Sequence, residues 1–204
     1  MIPRLIHRIW LDDPMPDQVA ANGREWARLH PDWTVVNWQA TSALPPLANQ
    51  DTFDQAAAYY PADWKRFRAD LVRLEILREL GGVYADTDTV PRRSLDPLLQ
   101  ERSCVVAYSP QHIRGEHPIT NCVMAAAPNH SFIGDLVDQL PDALAAYGHR
   151  PLAQSIGPWH LTRTYQRRFR DDVIVLDSED MFGDQGWVEH YWNNGRRRRG
   201  EATW

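Results

Sequence analysis

Asp86 and Asp88 stand two residues apart at the end of the apolar run Val83-Tyr84-Ala85. Alternate residues of a strand share a face, with Cα atoms roughly 6.5 Å apart. Two carboxylates so placed can approach one cation, one directly and the other directly or through water. Oxygen ligation suits hard ions such as Mn²⁺ or Mg²⁺, which complete their shells with phosphate oxygens and water. The same acids also admit a plainer reading, as loop residues that cap the next element. Ahead of them, Asp70 and Arg73 lie about one turn apart on a helical run that closes at Gly81-Gly82. On a wheel of about 100° per residue they fall with Ala69, Val72, Ile76, Leu77 and Leu80, whereas Arg68, Glu75, Arg78 and Glu79 form the expected solvated side. A charge buried alone is costly, so Asp70 and Arg73 are expected to pair or to face a polar cavity. A purely structural Asp–Arg pair would satisfy the same demand.

The elements that must position these groups can be read from periodicity and punctuation. Residues 4–11 read as a strand, 12–16 as a polar turn marked by proline, and 17–29 as a helix ended by His30-Pro31. Strands are expected at 34–38, 83–86, 104–108, 121–127 and 173–176, and helices at 62–80, 131–147 and 157–169. Residues 40–61 give no clear signal. Strands alternating with helices imply an α/β domain with a largely parallel central sheet. Acids at the carboxyl end of a central strand lie where open α/β sheets bind ligands.

Composition narrows the class. The 204 residues, 43% hydrophobic and 24% charged, fit one globular domain over 1–204 rather than a disordered chain. A net charge of -5 argues against nonspecific nucleic-acid binding, and the basic run Arg196 to Arg199 reads as part of a solvated tail at about 193–204. Two cysteines make neither a disulfide framework nor a zinc pattern, and they suggest half-buried thiols in a reducing compartment. No stretch approaches the roughly 20 apolar residues of a transmembrane helix. The opening residues have too short an apolar core for a signal peptide, so a cytoplasmic protein is expected.

The run from Arg68-Ala-Asp70 through Arg73 and Gly81-Gly82 to Asp86-Thr-Asp88 resembles the sugar-binding region of glycosyltransferase family 32. That group includes yeast-type mannosyltransferases and is related to the clostridial glucosylating toxins. Ile2-Pro3-Arg4-Leu5-Ile6-His7-Arg8-Ile9-Trp10 is similar to the family's opening strand, His30-Pro31-Asp32-Trp33 to the element before its second strand, and Gly157-Pro158 to a later loop. The resemblance implies a GT-A fold and a UDP- or GDP-sugar donor with Mn²⁺ or Mg²⁺ as cofactor. It also implies retention of configuration at the anomeric carbon. It assigns Asp70 and Arg73 to the donor sugar, Asp86 and Asp88 to the metal, Trp10 to stacking on the nucleobase, and Tyr84 and Asn121 to the donor pocket. Val188-Glu189-His190-Tyr191-Trp192 resembles the family's late His-aromatic segment, which makes His190 a third metal ligand or phosphate donor. Thr203-Trp204 is similar to a closing Ser-Trp, although residues 193–201 interrupt the family spacing.

The implied chemistry is hexose transfer to a saccharide, protein, lipid or small-molecule acceptor, with the loop at 111–118 and the tail as acceptor contacts. Two rivals keep part of the pattern. A haloacid-dehalogenase-type phosphatase would use Asp86 as nucleophile and Asp88 as acid/base, but needs a lysine downstream, and the sole lysine, Lys65, lies upstream. A noncatalytic nucleotide-sugar-binding module would bind donor without turnover.

Overall fold

A computed structural model describes residues 1–40, 42–110, 116–168 and 170–191. In chain order its elements are β1 (Leu5–Trp10), α1 (Asp17–Leu29), β2 (Thr34–Gln39), α2 (Gln50–Asp54), α3 (Ala56–Tyr59), α4 (Trp64–Leu80), β3 (Gly82–Ala85), β4 (Thr89–Pro91), α5 (Asp96–Leu99), β5 (Cys104–Tyr108), β6 (Ile119–Ala126), α6 (Ser131–Asp138), α7 (Leu140–Tyr147), α8 (Leu152–Ser155), α9 (Pro158–Gln166), β7 (Val173–Leu176), α10 (Ser178–Phe182) and β8 (Val188–His190). The expected helix over 131–147 is two helices. Pro141 near the start of α7 has no N–H for the ladder, so the hydrogen bonding restarts at Gln139.

Among the described residues, six strands form one sheet in the order β2-β1-β3-β6-β5-β7, and β4 pairs with β8 in a second. β1 runs parallel to β2 and β3, and β5 parallel to β7, whereas β6 is antiparallel to both its neighbours. Because β6 is reversed, its first residues lie at the same edge of the sheet as the carboxyl ends of β1 and β3. That edge carries Asp86.

One face of the sheet buries Tyr84, Val106 and Met124 with Phe67, Leu71 and Ile76 of α4 and Phe132 and Leu136 of α6. The other face buries Val83, Val105 and Cys122 with Trp26 of α1 and Leu98 of α5. The two-sided picture of α4 from the wheel needs correction. Glu75, placed on the solvated side, is 3% exposed and accepts hydrogen bonds from the Ala48 and Asn49 N–H groups and from Asn49 Nδ2. The segment before α4, unreadable in sequence, wraps back over that side and supplies these donors. Arg68 is half-buried between the rings of Phe53 and Trp64. Both cysteines are fully buried and free rather than half-buried. No helix among the described residues is long and apolar enough to cross a membrane.

The turn from α4 into β3 needs two glycines. Gly81 and Gly82 have φ of 63° and 98°, and a Cβ at Gly81 would lie 2.6 Å from Pro128 while one at Gly82 would lie 2.7 Å from the Leu5 carbonyl oxygen. Both obstacles are ring or backbone atoms that cannot step aside. Gly81→Ala and Gly82→Ala are each expected to destabilise by about 1–3 kcal/mol, several degrees in Tm for a chain of this size. An unchanged calorimetric Tm would show that the turn relaxes.

Buried histidines give the fold an acid limit. The His160 ring, held by the Leu136 carbonyl at 2.8 Å, is lowered by burial to about 4. His7 and His30 are also lowered by burial. The unfolded chain therefore takes up these protons first, near the unfolded value of about 6.5. Stability from His160 is fully present above that pH and is lost as pH falls towards 4. Urea melts of wild type and His160→Gln at pH 4.5 and 7 should show a smaller acid loss in the variant, by about 2–3 kcal/mol.

Candidate active site

Arg73 stands at the centre of a buried polar cluster. Its Nη2 pairs with Asp70 Oδ1 at 2.8 Å, and its Nη1 donates to Asp86 Oδ1 at 3.0 Å and to the Asn121 carbonyl at 2.7 Å. The guanidinium lies 4.3 Å from the centroid of the Tyr84 ring. Tyr84 donates its hydroxyl proton to Asp86 Oδ1 at 2.6 Å, and Asn121 Nδ2 donates to Asp70 Oδ1 at 2.8 Å. Burial raises the Asp70 carboxyl above its ordinary value although Arg73 pulls the other way. Burial also acts to raise Asp86, but Arg73, His190 and the Tyr84 hydroxyl outweigh it and hold Asp86 low. The two acids thus share one guanidinium and differ in proton affinity.

The other oxygen of Asp86 faces His190. His190 Nε2 lies 3.8 Å from Asp86 Oδ2 and 3.5 Å from Asp88 Oδ1. One ligand atom from each of Asp86, Asp88 and His190 lies within 4.8 Å of the others. Two carboxylates and an imidazole at that spacing can hold a divalent cation, the carboxylates suiting hard ions such as Mn²⁺ and the imidazole favouring a transition metal over Mg²⁺. Burial opposes a charge on His190, yet Cys122, Asp86 and Asp88 push it up to about 10. A proton on His190 and a cation therefore compete for the same acids.

The loop carrying the acids is gripped by residues whose role the sequence reading did not assign. Asp86 N–H donates to the Cys122 carbonyl at 2.8 Å, and Tyr191 N–H to the Asp88 carbonyl at 3.0 Å. Arg8 Nη2 and Asn22 Nδ2 each donate to the Thr87 carbonyl at 2.9 Å, and Trp26 Nε1 donates to the Thr89 carbonyl at 3.1 Å. Arg8 is completely buried, also bonding the Val19 carbonyl and Asn37, and burial lowers it to about 10. A charged residue inside a mostly apolar strand was the signal available for Arg8. Nothing local marked Asn22 or Trp26.

The structure brings Asp70, Arg73, Tyr84, Asp86, Asp88, Asn121 and His190 into one bonded group. Trp10 is not part of it. It ends β1 at the same sheet edge, half-buried, with its indole Nε1 shielded from water and without a hydrogen-bond partner among the described residues. Lys65, the sole lysine and upstream of Asp86, is ion-paired with Asp12. Arg196 to Arg199, Thr203 and Trp204 lie outside the described residues, as does most of the loop at 111–118.

The family model of the glycosyltransferase sugar-binding region containing a DXD motif matches residues 16–105, which include Asp70, Arg73, Asp86 and Asp88. This chain carries the sugar-binding region of the DXD glycosyltransferases. Among curated relatives, the inositol phosphoceramide mannosyltransferase 3 of Schizosaccharomyces pombe is 33% identical over 165 residues, covering 79% of this chain and 44% of that protein. The chain thus spans less than half of that relative's length. Among solved structures, the PaToxG glycosyltransferase superposes with a TM-score of 0.60 at 17% identity, covering 81% of this chain and 70% of that one. The UDP-bound glycosyltransferase domain of the YGT toxin gives 0.55 at 13%, covering 86% and 79%. These likenesses establish the GT-A fold, with its mostly parallel sheet flanked by helices.

Proposed function

We propose that the chain, as one domain, moves a hexose from a nucleotide-diphosphate sugar to an acceptor with retention of configuration, and that it does so in the cytoplasm. The observation that carries this reading is the convergence of Asp86, Asp88 and His190 within 4.8 Å, beside the Asp70–Arg73 pair. When bound by those three residues, a divalent cation supplies Lewis-acid neutralisation of the diphosphate leaving group. Asp70 and Arg73 bind and orient the donor sugar, with Asn121 bracing Asp70 and Tyr84 bracing Asp86. Trp10 stacks on the nucleobase, a contact worth about 1–3 kcal/mol in single-strand nucleic-acid binding. On this reading the chain needs no base of its own, because the departing phosphate takes the acceptor's proton.

A thermal-shift panel of nucleotide sugars with and without Mn²⁺ tests it. GDP-mannose heads the panel because the S. pombe relative is named a mannosyltransferase, and UDP-sugars follow because the YGT neighbour is UDP-bound. At a ligand concentration of about 100 Kd the correct donor should add about 2.7 kcal/mol of stability, only in the presence of the cation. Slow hydrolysis of that donor should accompany binding; stabilisation without hydrolysis would mark a binding module. A panel without a cation-dependent response would refute the assignment.

A further inference from the structure

We propose that Arg8 is a positioning residue of the cation site: with Asn22 it fixes the peptide between Thr87 and Asp88, and so aims Asp88 at the cation that Asp86 holds. The inference rests on Asp86 and Asp88 being cation ligands, and deepens that reading by naming what keeps the two acids aligned.

The acids sit on a tight turn. The Thr89 N–H donates to the Asp86 carbonyl at 3.1 Å, an i to i+3 bond that makes Thr87 and Asp88 the central residues of a β-turn. The Thr89 hydroxyl donates to the same carbonyl at 2.6 Å, so the base of the turn is closed twice. Neither bond fixes the central peptide. Turns of types I and II share the base and differ by a flip of that peptide, which reverses the sign of φ at the third residue. Here the third residue is Asp88, and aspartate tolerates either sign. The flip changes the direction of its Cα–Cβ bond and carries its carboxylate away from Asp86. In the structure the non-glycine residues with positive φ are Glu101 and Asn129 among those described, so Asp88 excludes the type II form.

Arg8 and Asn22 hold the peptide in that orientation. Arg8 Nη2 and Asn22 Nδ2 each donate to the Thr87 carbonyl at 2.9 Å, one bond for each lone pair. A flipped peptide would forfeit both bonds and present its N–H to two donors. Both holders are themselves fixed. Arg8 is completely buried and Asn22 is 3% exposed. Arg8 Nη1 donates to the Val19 carbonyl of α1 and to Asn37 Oδ1 of β2, both at 3.1 Å, and Gln18 Nε2 donates to Asn22 Oδ1 at 2.9 Å. Gly23 supplies independent support. It lies inside α1, where glycine is the poorest helix former after proline. A Cβ there would come within 2.4 Å of Arg8 Nη1. The helix thus carries an unfavourable residue at the place where the guanidinium needs room.

The test uses Mn²⁺ alone, titrated into nucleotide-free protein and followed by the paramagnetic resonance of the free ion. Arg8→Met should weaken Mn²⁺ binding by about 10-fold or more, the scale on which partners that orient metal ligands act. Asn22→Leu, which removes one of the two donors, should fall between Arg8→Met and wild type. Gly23→Ala should weaken binding while Arg8 is present and add nothing in the Arg8→Met background, because it acts only by displacing the guanidinium. Phe132→Leu, a core change on the face of the sheet away from α1, shows what lost stability alone does. Thermal melts in EDTA check that each variant folds, and should Arg8→Met fail to, Asn22→Leu and Gly23→Ala carry the test. Wild-type affinity in Arg8→Met, or in both Asn22→Leu and Gly23→Ala where Arg8→Met does not fold, would overturn the proposal and leave the cation site standing. Losses no larger than that of Phe132→Leu at equal loss of Tm would overturn it too. No Mn²⁺ binding by wild type would remove the functional reading and this inference together.

Discussion

Replacing Asp86 and Asp88 together by asparagine is expected to lower donor turnover by about 10³-fold or more, the scale on which loss of transition-state charge stabilisation is felt. Mn²⁺ binding to the nucleotide-free protein should vanish with it. The double variant is chosen because asparagine preserves shape. Arg73 keeps its pair with Asp70 at 2.8 Å and its bond to the Asn121 carbonyl at 2.7 Å. The loop keeps its backbone bonds to Cys122 and Tyr191 and its carbonyl contacts to Arg8 and Asn22. The fold should therefore survive, and near-native circular dichroism would separate lost chemistry from lost structure. The single variants divide the effect. Asp88→Asn leaves the Arg73–Asp86 contact untouched and removes one ligand, whereas Asp86→Asn also takes a charge from Arg73. Undiminished turnover in the double variant would end the metal assignment.

Much of this site was legible because its parts are close in sequence. Asp70, Arg73, Asp86 and Asp88 fall within nineteen consecutive residues, and helix and strand periodicities place all four near one sheet edge. The α1 and β7 boundaries also follow local punctuation, with His30-Pro31 ending the first. What could not be read depends on distant chain. Glu75 sits where a wheel places solvent, and only the returning segment at Ala48 and Asn49 makes it a buried acceptor. β4 and β8 have three residues each, too few for a periodicity, and each gains strand geometry from the other across about a hundred residues. His190 owes its place to that pairing, so family resemblance pointed to it and spacing did not. Arg8 and Asn22 reach the Thr87 carbonyl through contacts that no local pattern encodes.

Arg73→Met should be the most destabilising substitution in the site, by about 3–5 kcal/mol, because it strands the buried Asp70 carboxylate and leaves the half-buried Asp86 without its arginine. Arg73 is 6% exposed and Asp70 9% exposed, so water cannot replace the guanidinium. With Arg73 present, burial already raises the Asp70 carboxyl. Without it, Asp70 should rise further and Asp86 should lose its largest stabilising charge. The sign of the pH dependence follows. A carboxyl whose folded value is raised above its unfolded value favours the folded state at low pH and loses that advantage as pH rises. The deficit of Arg73→Met should therefore be largest near neutrality and shrink towards pH 4 to 5 in denaturant melts, against a wild type that weakens there. Arg73→Lys should recover little, since one ammonium cannot serve Asp70, Asp86 and the Asn121 carbonyl from a planar fork. Neutralising the acids should recover much more. Adding Asp70→Asn and Asp86→Asn to Arg73→Met removes the stranded charges, and the triple variant should be more stable than Arg73→Met alone. If the triple variant is instead less stable by the sum of its parts, the arginine contributes through packing against Tyr84 rather than through charge.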